Sequence, residues 1–269
     1  MAGPAVVDPR VLANYELVVE DDFGGDELDT GLWLPHYLPQ WSSRAASAAR
    51  YRLGDGVLRL LIEEDQPAWC PELDGQLRVS SLQTGVRAGP VGSREGQHRF
   101  HEDAVVREAQ EERRLFVPQY GFFEIRARVS DDPAGMAALW MIGFEDRPER
   151  SAEICVFEIF GRDVAAGATA VGMGVHPFGD PSITDEFVRP VLPIDARDFH
   201  DYAVEWTPEH VAFFVDAELV TVVEQSPGYP MQFMLDLYAF PGEDGSAPPR
   251  PYPKEFVVDR FRGYRRTAA

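Results

Sequence analysis

Cysteine is scarce in this chain: Cys70 and Cys155 are the two present among 269 residues. They can form one bridge at most. Neither sits in a C-x-x-C pair or in a Cys/His ligand spacing, which argues against a structural zinc site. Cys70 lies in the loop-like PAWCPELDG, and no pattern brings it to Cys155, so two free thiols and a reducing compartment are expected. Positive charge is also short, with 25 Lys and Arg against 45 Asp and Glu and a formal net charge of -20. A polyanion repels nucleic acid and anionic lipid, so neither is an expected partner. No apolar run reaches the ~18 residues of a membrane span. The opening MAGPAVVDPRVLANYELVV lacks the charged start and apolar stretch of an export signal. A cytoplasmic location is therefore expected, or a secreted one if a leader has been removed. There is no internal repeat and no low-complexity linker, so a single domain over residues 15–265 is expected, with a loose tail at 1–14.

What is present reads as strand. GVLRLLIEE (56–64), YGFFEIRARV (120–129), AALWMIGF (137–144), EICVFEIF (153–160), HDYAVEWT (200–207), HVAFFVDAELVTVVE (210–224), MQFMLDLYAF (231–240) and EFVVDRFRGY (255–264) alternate or run apolar over strand lengths. Turn clusters such as GDG, DDPAG, FGDPS and SPGYP separate them. With 23 Gly and 22 Pro as punctuation, the chain is expected to be an all-β sandwich. EDAVVREAQEERR (102–114) has helical composition and is expected to be a surface loop with a turn or two of helix. RFRGYRR near the C-terminus is expected to be a solvated tail.

Alternation assigns faces. In YGFFEIRARV, Phe123, Ile125, Ala127 and Val129 point to the core. Tyr120, Phe122, Glu124, Arg126 and Arg128 share the other face, which has the polar and aromatic character of a cleft floor. In EICVFE, Ile154 and Val156 point inward, and Glu153 and Cys155 outward. Glu158 is five residues from Glu153, so strict alternation turns it inward. One bulge residue, Val156 or Phe157, returns it to the face of Glu153, and bulges that re-aim a side chain are frequent beside active sites. Two carboxylates so placed, about 5–5.5 Å apart, suit a retaining glycosidase.

At this strand the chain resembles glycoside hydrolase family 16, the laminarinase and lichenase group. The family signature is E-x-D-x-E or the bulged E-x-D-x-x-E; this chain reads E-I-C-V-F-E, with Cys155 where Asp is expected. QYGFFEIRARV, ALWMIGF, FHDYAVEWTPEHVAFFVDAELV, PMQFMLDLYAF and FVVDRFRGY resemble the family's other strands in order and spacing. The resemblance implies a jelly-roll β-sandwich of two antiparallel sheets with a concave sugar-binding cleft. It also implies a retaining, endo-acting glycoside hydrolase or transglycosylase acting on a polysaccharide or oligosaccharide. Glu153 would be the nucleophile, Glu158 the acid/base and Cys155 their neighbour. Glu124, Arg126, Trp140, His176 and Trp206 would contact sugar. Asp259 would supply the side-chain ligand of a structural calcium, with no cofactor required for catalysis.

Plainer readings stand beside these: an ion pair for Glu124 and Arg126, core positions for the two tryptophans, a satisfied sheet histidine for His176 and a strand-edge charge for Asp259. A carbohydrate-binding protein of the same fold, with weak or no catalysis, remains the alternative to the enzyme.

Overall fold

Alternating apolar side chains build two antiparallel sheets, one of eight strands and one of six. The structure, a computed structural model, describes residues 14–241 and 251–267. The tail expected at residues 1–14 lies, apart from Asn14, outside the described residues. Numbered in chain order, the strands of these two sheets are β1 (Tyr15–Asp21), β2 (Arg50–Gly54), β3 (Val57–Ile62), β4 (Arg78–Gln83), β5 (Gly121–Val129), β6 (Gly135–Gly143) and β7 (Glu153–Phe160). Then come β8 (Gly172–His176), β9 (Glu186–Val188), β10 (His200–Trp206), β11 (Val211–Val215), β12 (Glu218–Val223), β13 (Met231–Ala239) and β14 (Lys254–Arg266). The larger sheet runs β12-β11-β10-β5-β14-β3-β2, with β1 added on the far half of β14. The smaller runs β9-β8-β7-β6-β13-β4. This is the all-β sandwich anticipated from the strand pattern, with the jelly-roll form that the family resemblance implies.

The two sheets meet through one apolar core. Phe123, Ile125 and Ala127 of β5 face Leu139 and Met141 of β6 and Phe233 and Leu235 of β13, all fully or almost fully buried. Each Phe, Ile, Leu or Met among them contributes about 1.5–3 kcal/mol on leaving water. A second apolar cluster covers the opposite face of the six-stranded sheet. Ala138, Trp140 and Ile142 of β6 and Met234 and Tyr238 of β13 pack there against Tyr37, Trp41 and Trp69 from the long loops. β6 and β13 are thus buried on both faces, which explains why their sequences, GMAALWMIG and MQFMLDLYA, run almost continuously apolar.

Two local expectations change. Residues 102–114 form no helix; they run as loop into a short strand at Arg113–Arg114, and Ala104 and Val106 are buried in the second cluster. Helical composition yields here to tertiary packing. RFRGYRR is not a tail but the end of β14. It pairs with β1, and Arg262 and Arg265 bind Glu20 and Glu16 across the pair.

Phe157 is fully buried in the inter-sheet core and lies 4.4 Å from the ring of Tyr202. Phe157→Ala is expected to lower unfolding free energy by about 3–5 kcal/mol in urea titrations. A loss below about 1 kcal/mol would contradict this packing.

Candidate active site

The site depends on one irregularity in β7. Against β6, Phe157 pairs with Leu139 and Cys155 with Trp140, so Val156 has no partner of its own. The register against β8 also slips here, between Gly172 and Gly174. Consequently Ile154, Val156, Phe157 and Ile159 all join the inter-sheet core. Glu153, Cys155 and Glu158 are left on the other face. Side chains alternate with a period of two, so a single extra residue reverses every position after it. Without the bulge, Glu158 would point into the core.

These three residues line a pocket of about 170 Å³ with Tyr37, His98, Met136, Ala138, Trp140, His176 and Tyr238. Burial of the Cys155 thiol, with the charges of Glu158 and Glu153 adding, pushes its pKa well above that of a free thiol. Cys155 is therefore neutral and adds no third negative charge. Cys70 is likewise buried and unbridged. Burial also raises the pKa of Glu158, against Arg189, His176 and Arg162, which favour its anion, and with a further push from Glu153.

Beneath the pocket lies Asp236 of β13. Trp140 Nε1 donates to its Oδ2 at 2.6 Å and the Tyr238 hydroxyl at 2.7 Å. Burial pushes the Asp236 carboxyl up to about 6, even though hydrogen bonds from these and other groups favour its anion. His176 stands in register with Glu153, bonds through Nδ1 to Asp185 Oδ1 at 2.5 Å and stacks on Phe187. His98 enters from a loop, its Nδ1 3.3 Å from Glu153 Oε1. The His98 backbone N–H donates to Glu145 Oε1 at 2.5 Å. Burial pushes the Glu145 carboxyl up to about 7, against the His98 N–H and charge.

The pocket brings together Glu153, Cys155, Glu158, Trp140 and His176. Glu124, Arg126 and Trp206 are elsewhere. Glu124 and Arg126 belong to β5 of the eight-stranded sheet, on the face turned away from the core and from the second sheet. Glu124 accepts from the Tyr264 hydroxyl at 3.2 Å, and Arg126 pairs with Asp201 at 3.2 Å and Asp259 at 3.5 Å. The polar face of β5 is thus an ion-paired outer surface rather than a cleft floor. Alternation identifies an outward face but not which side of the sandwich carries the cleft. Trp206, 1% exposed, is part of the inter-sheet core, with Nε1 donating to Ser226 Oγ at 2.9 Å.

Asp259 occupies the register slip of β14 between Val258 and Arg260. Its carboxylate faces the Arg126 guanidinium. A calcium ion there would have to displace or oppose that cation, so the residues present do not fit a calcium site. Among the described residues no group of three His, Cys, Asp or Glu side chains is arranged for a metal.

His98, Tyr37, Asp236 and Tyr238 are additional site residues. Asp236 and Tyr238 were legible in principle, since they alternate with Leu235 and Leu237 and so share one face of β13. His98 and Tyr37 carry no such signal: their loops have no period, and only the folded chain brings them to β7.

A model of the family described as glycosyl hydrolases family 16 matches residues 114–248. A β-glucanase of Rhodothermus marinus is 31% identical over 170 residues, 54% of this chain and 57% of the relative. Endo-1,3-1,4-β-glycanase EglC of Rhizobium meliloti (strain 1021) is 31% identical over 226 residues, 82% of this chain and 39% of the relative. The chain therefore spans well under two thirds of the length of these curated relatives. Among solved structures, the GlcNAcα1-4Gal releasing endo-β-galactosidase from Clostridium perfringens aligns with a TM-score of 0.79 at 29% identity, over 98% of this chain and 65% of that one. The laminarinase from Flavobacterium sp. UMI-01 aligns with a TM-score of 0.63 at 21% identity, over 93% of this chain and 100% of that one, a likeness of fold.

The raised Glu145 carboxyl has a consequence for stability. A carboxyl whose folded pKa lies above its unfolded value stabilises most while protonated, and that contribution is lost as pH rises from the unfolded pKa through the folded one. For Glu145 the window runs from 4.5 to about 7. Glu145→Gln removes this titration. Its unfolding free energy relative to wild type is expected to rise by on the order of 3 kcal/mol between pH 4 and pH 8. Urea titrations at both pH values test this, and an unchanged difference would contradict it.

Proposed function

The chain belongs to glycosyl hydrolase family 16, and we propose that it is an endo-acting glycoside hydrolase that cleaves a β-linked polysaccharide with retention at the anomeric carbon. The observation that carries this reading is the bulge at Val156, which puts Glu153 and Glu158 on one face of β7 in one pocket with neutral Cys155 between them. Two carboxyls in different surroundings can divide the roles of nucleophile and acid. Burial favours the protonated form of Glu158, the form a general acid needs.

In the first step a Glu153 oxygen attacks the anomeric carbon. The glycosidic C–O bond breaks, and its electron pair leaves on the departing oxygen, which takes the proton of Glu158. The result is a glycosyl ester on Glu153. In the second step Glu158, now a carboxylate, takes a proton from water as the water oxygen attacks the same carbon. The ester bond breaks and Glu153 is restored. A sugar hydroxyl in place of water gives transglycosylation. Trp140 and His176 border the sugar held at this point.

The names of the relatives support a β-linked substrate and divide between glucan and galactose-containing chains. A suitable panel therefore contains mixed-linkage β-glucan, laminarin and β-galactosyl oligosaccharides. Wild-type enzyme is expected to release product whose first-formed anomer, followed by ¹H NMR, keeps the β configuration. An epoxyalkyl β-glycoside is expected to add covalent mass to Glu153. Inverted product, or label on another residue, would end this reading. Binding of a polysaccharide with neither product nor label would leave a carbohydrate-binding protein.

Glu158→Gln is expected to lower kcat about 10²–10⁴-fold on polysaccharide. The loss should be much smaller on an aryl glycoside whose leaving group needs no proton. Cys155→Asp adds a negative charge beside Glu158, and like charges favour the protonated carboxyl. The alkaline limb of its kcat–pH profile is therefore expected to move upward. Coincident profiles for wild type and Cys155→Asp would refute that electrostatic coupling.

A further inference from the structure

We propose that His98 is the counter-cation and positioning residue of Glu153, holding its carboxylate aimed into the pocket. This rests on the reading of Glu153 as nucleophile. His98 lies outside residues 114–248, the part of the chain that the family model matches.

Three observations place the imidazole. Its Nδ1 lies 3.3 Å from Glu153 Oε1, with each side chain 15% exposed, and has no aligned hydrogen-bond acceptor among the described residues. The ring is held from two sides: it stacks on Phe178 at 4.5 Å and 18°, and meets Trp140 edge-on at 5.0 Å. Its backbone is in the left-handed region, φ 48°, and its N–H is taken by Glu145 Oε1. Glu145 and Phe178 have positive φ as well, 53° and 48°. Such conformations cost about 1–3 kcal/mol each in a non-glycine residue and persist where surrounding structure enforces them.

The charges give the ring its task. Two bases line the pocket, His98 and His176. His176 is already bound to Asp185. Cys155, between the glutamates, is neutral. The groups facing His98 are Glu153 of β7, Glu145 of the loop after β6 and Asp236 of β13. Arg87 approaches Glu145 from behind through its carbonyl oxygen. Burial opposes the imidazolium, but the charge of Glu153 close by, joined by Glu145 and Asp236, outweighs it and raises the His98 pKa.

An imidazolium here acts in both halves of the reaction without moving a proton. Before attack it stands as counter-charge against a Glu153 oxygen while Glu158 holds the proton. In the second step it favours departure of Glu153 as a carboxylate when the ester bond breaks. His98 keeps its proton throughout.

The test reads the carboxyl directly. In protein labelled with ¹³C at the glutamate side-chain carboxyl, the Glu153 resonance is assigned by its loss in Glu153→Gln. His98→Gln is expected to move the Glu153 titration upward by about half a pH unit or more, roughly threefold in its ionisation constant. His98→Lys, which keeps a cation, is expected to stay near wild type. On the best substrate of the panel, kcat/KM of His98→Gln should fall more at pH 5 than at pH 7.5, by a factor no greater than the change in that ionisation constant, with KM little changed. A general packing defect would depress activity alike at both pH values. An unchanged Glu153 titration in His98→Gln, or His98→Lys behaving as His98→Gln, would overturn the proposal. Should His98→Gln not fold, the same coupling is read from the other side. The imidazole pKa of His98 must then fall in Glu153→Gln, because the coupling is reciprocal, and its constancy would overturn the proposal. The titrations need no substrate. A shift without hydrolysis or label would uphold the pairing and reject the nucleophile reading, and the two failures remain distinct.

Discussion

The site turns on a single unpaired residue in β7. Val156 has no partner on β6, and its insertion sets two successive side chains, Val156 and Phe157, into the inter-sheet core. Strand geometry then leaves no choice for the next position: Glu158 must return to the face of Glu153. The cost of burying a carboxylate between two apolar sheets makes the unbulged register unavailable. Phe157, locked against Tyr202 and Phe256, anchors the irregularity from the core side. Function and packing thus share one constraint. The apolar contacts that stabilise the sandwich also determine where the carboxyls stand.

A second constraint comes from the loops. Tyr37, Trp41 and Trp69 fold over β6, β13 and β4 and turn most of the second face of the six-stranded sheet into core. The pocket is what this cover leaves open beside β7. Its floor is half core and half solvent, and burial in and beside it strips water from three carboxyls, which resist ionisation. Asp236 rises to about 6 and Glu145 to about 7, and Glu158 shifts in the same direction. The two elements also account for each other. The aromatic cover supplies the low polarity, and Trp140 and Tyr238 supply the hydrogen bonds that make a buried Asp236 tolerable.

The outer face of β5 shows how the same local pattern serves another end. Glu124 and Arg126 alternate with core residues just as Glu153 and Cys155 do. Their neighbours, however, are Tyr264, Arg262, Asp201 and Asp259, and they resolve into a network of partly exposed ion pairs. Pairs of this kind contribute little to stability individually, about 0–1 kcal/mol. They keep an acidic protein's large sheet solvated. Trp206 gives the complementary lesson, since an aromatic residue at a strand end serves a core as readily as a sugar platform.

Periodicity along the chain was enough to identify an all-β sandwich, most of its long strands, the inward residues of β5, Ile154 and Val156 of β7, and the need for a bulge between Glu153 and Glu158. These are local properties, fixed by the two-residue repeat of a strand and by the exclusion of charge from a core. β13 also carried Asp236 and Tyr238 in legible alternation, hidden by the apolar residues that the loop cover demands. The short strands β2, β8 and β9 gave weaker signals because few residues in each face the core. What no local pattern could supply is which sheet face becomes the site. That depends on residues far apart in sequence: Tyr37 and His98 against Glu153, and Trp69 over Tyr37. The choice between two outward faces, β5 in one sheet and β7 in the other, was made only when the loops folded over one of them, because burying their aromatic rings there removed water from one set of carboxyls and left the other set exposed.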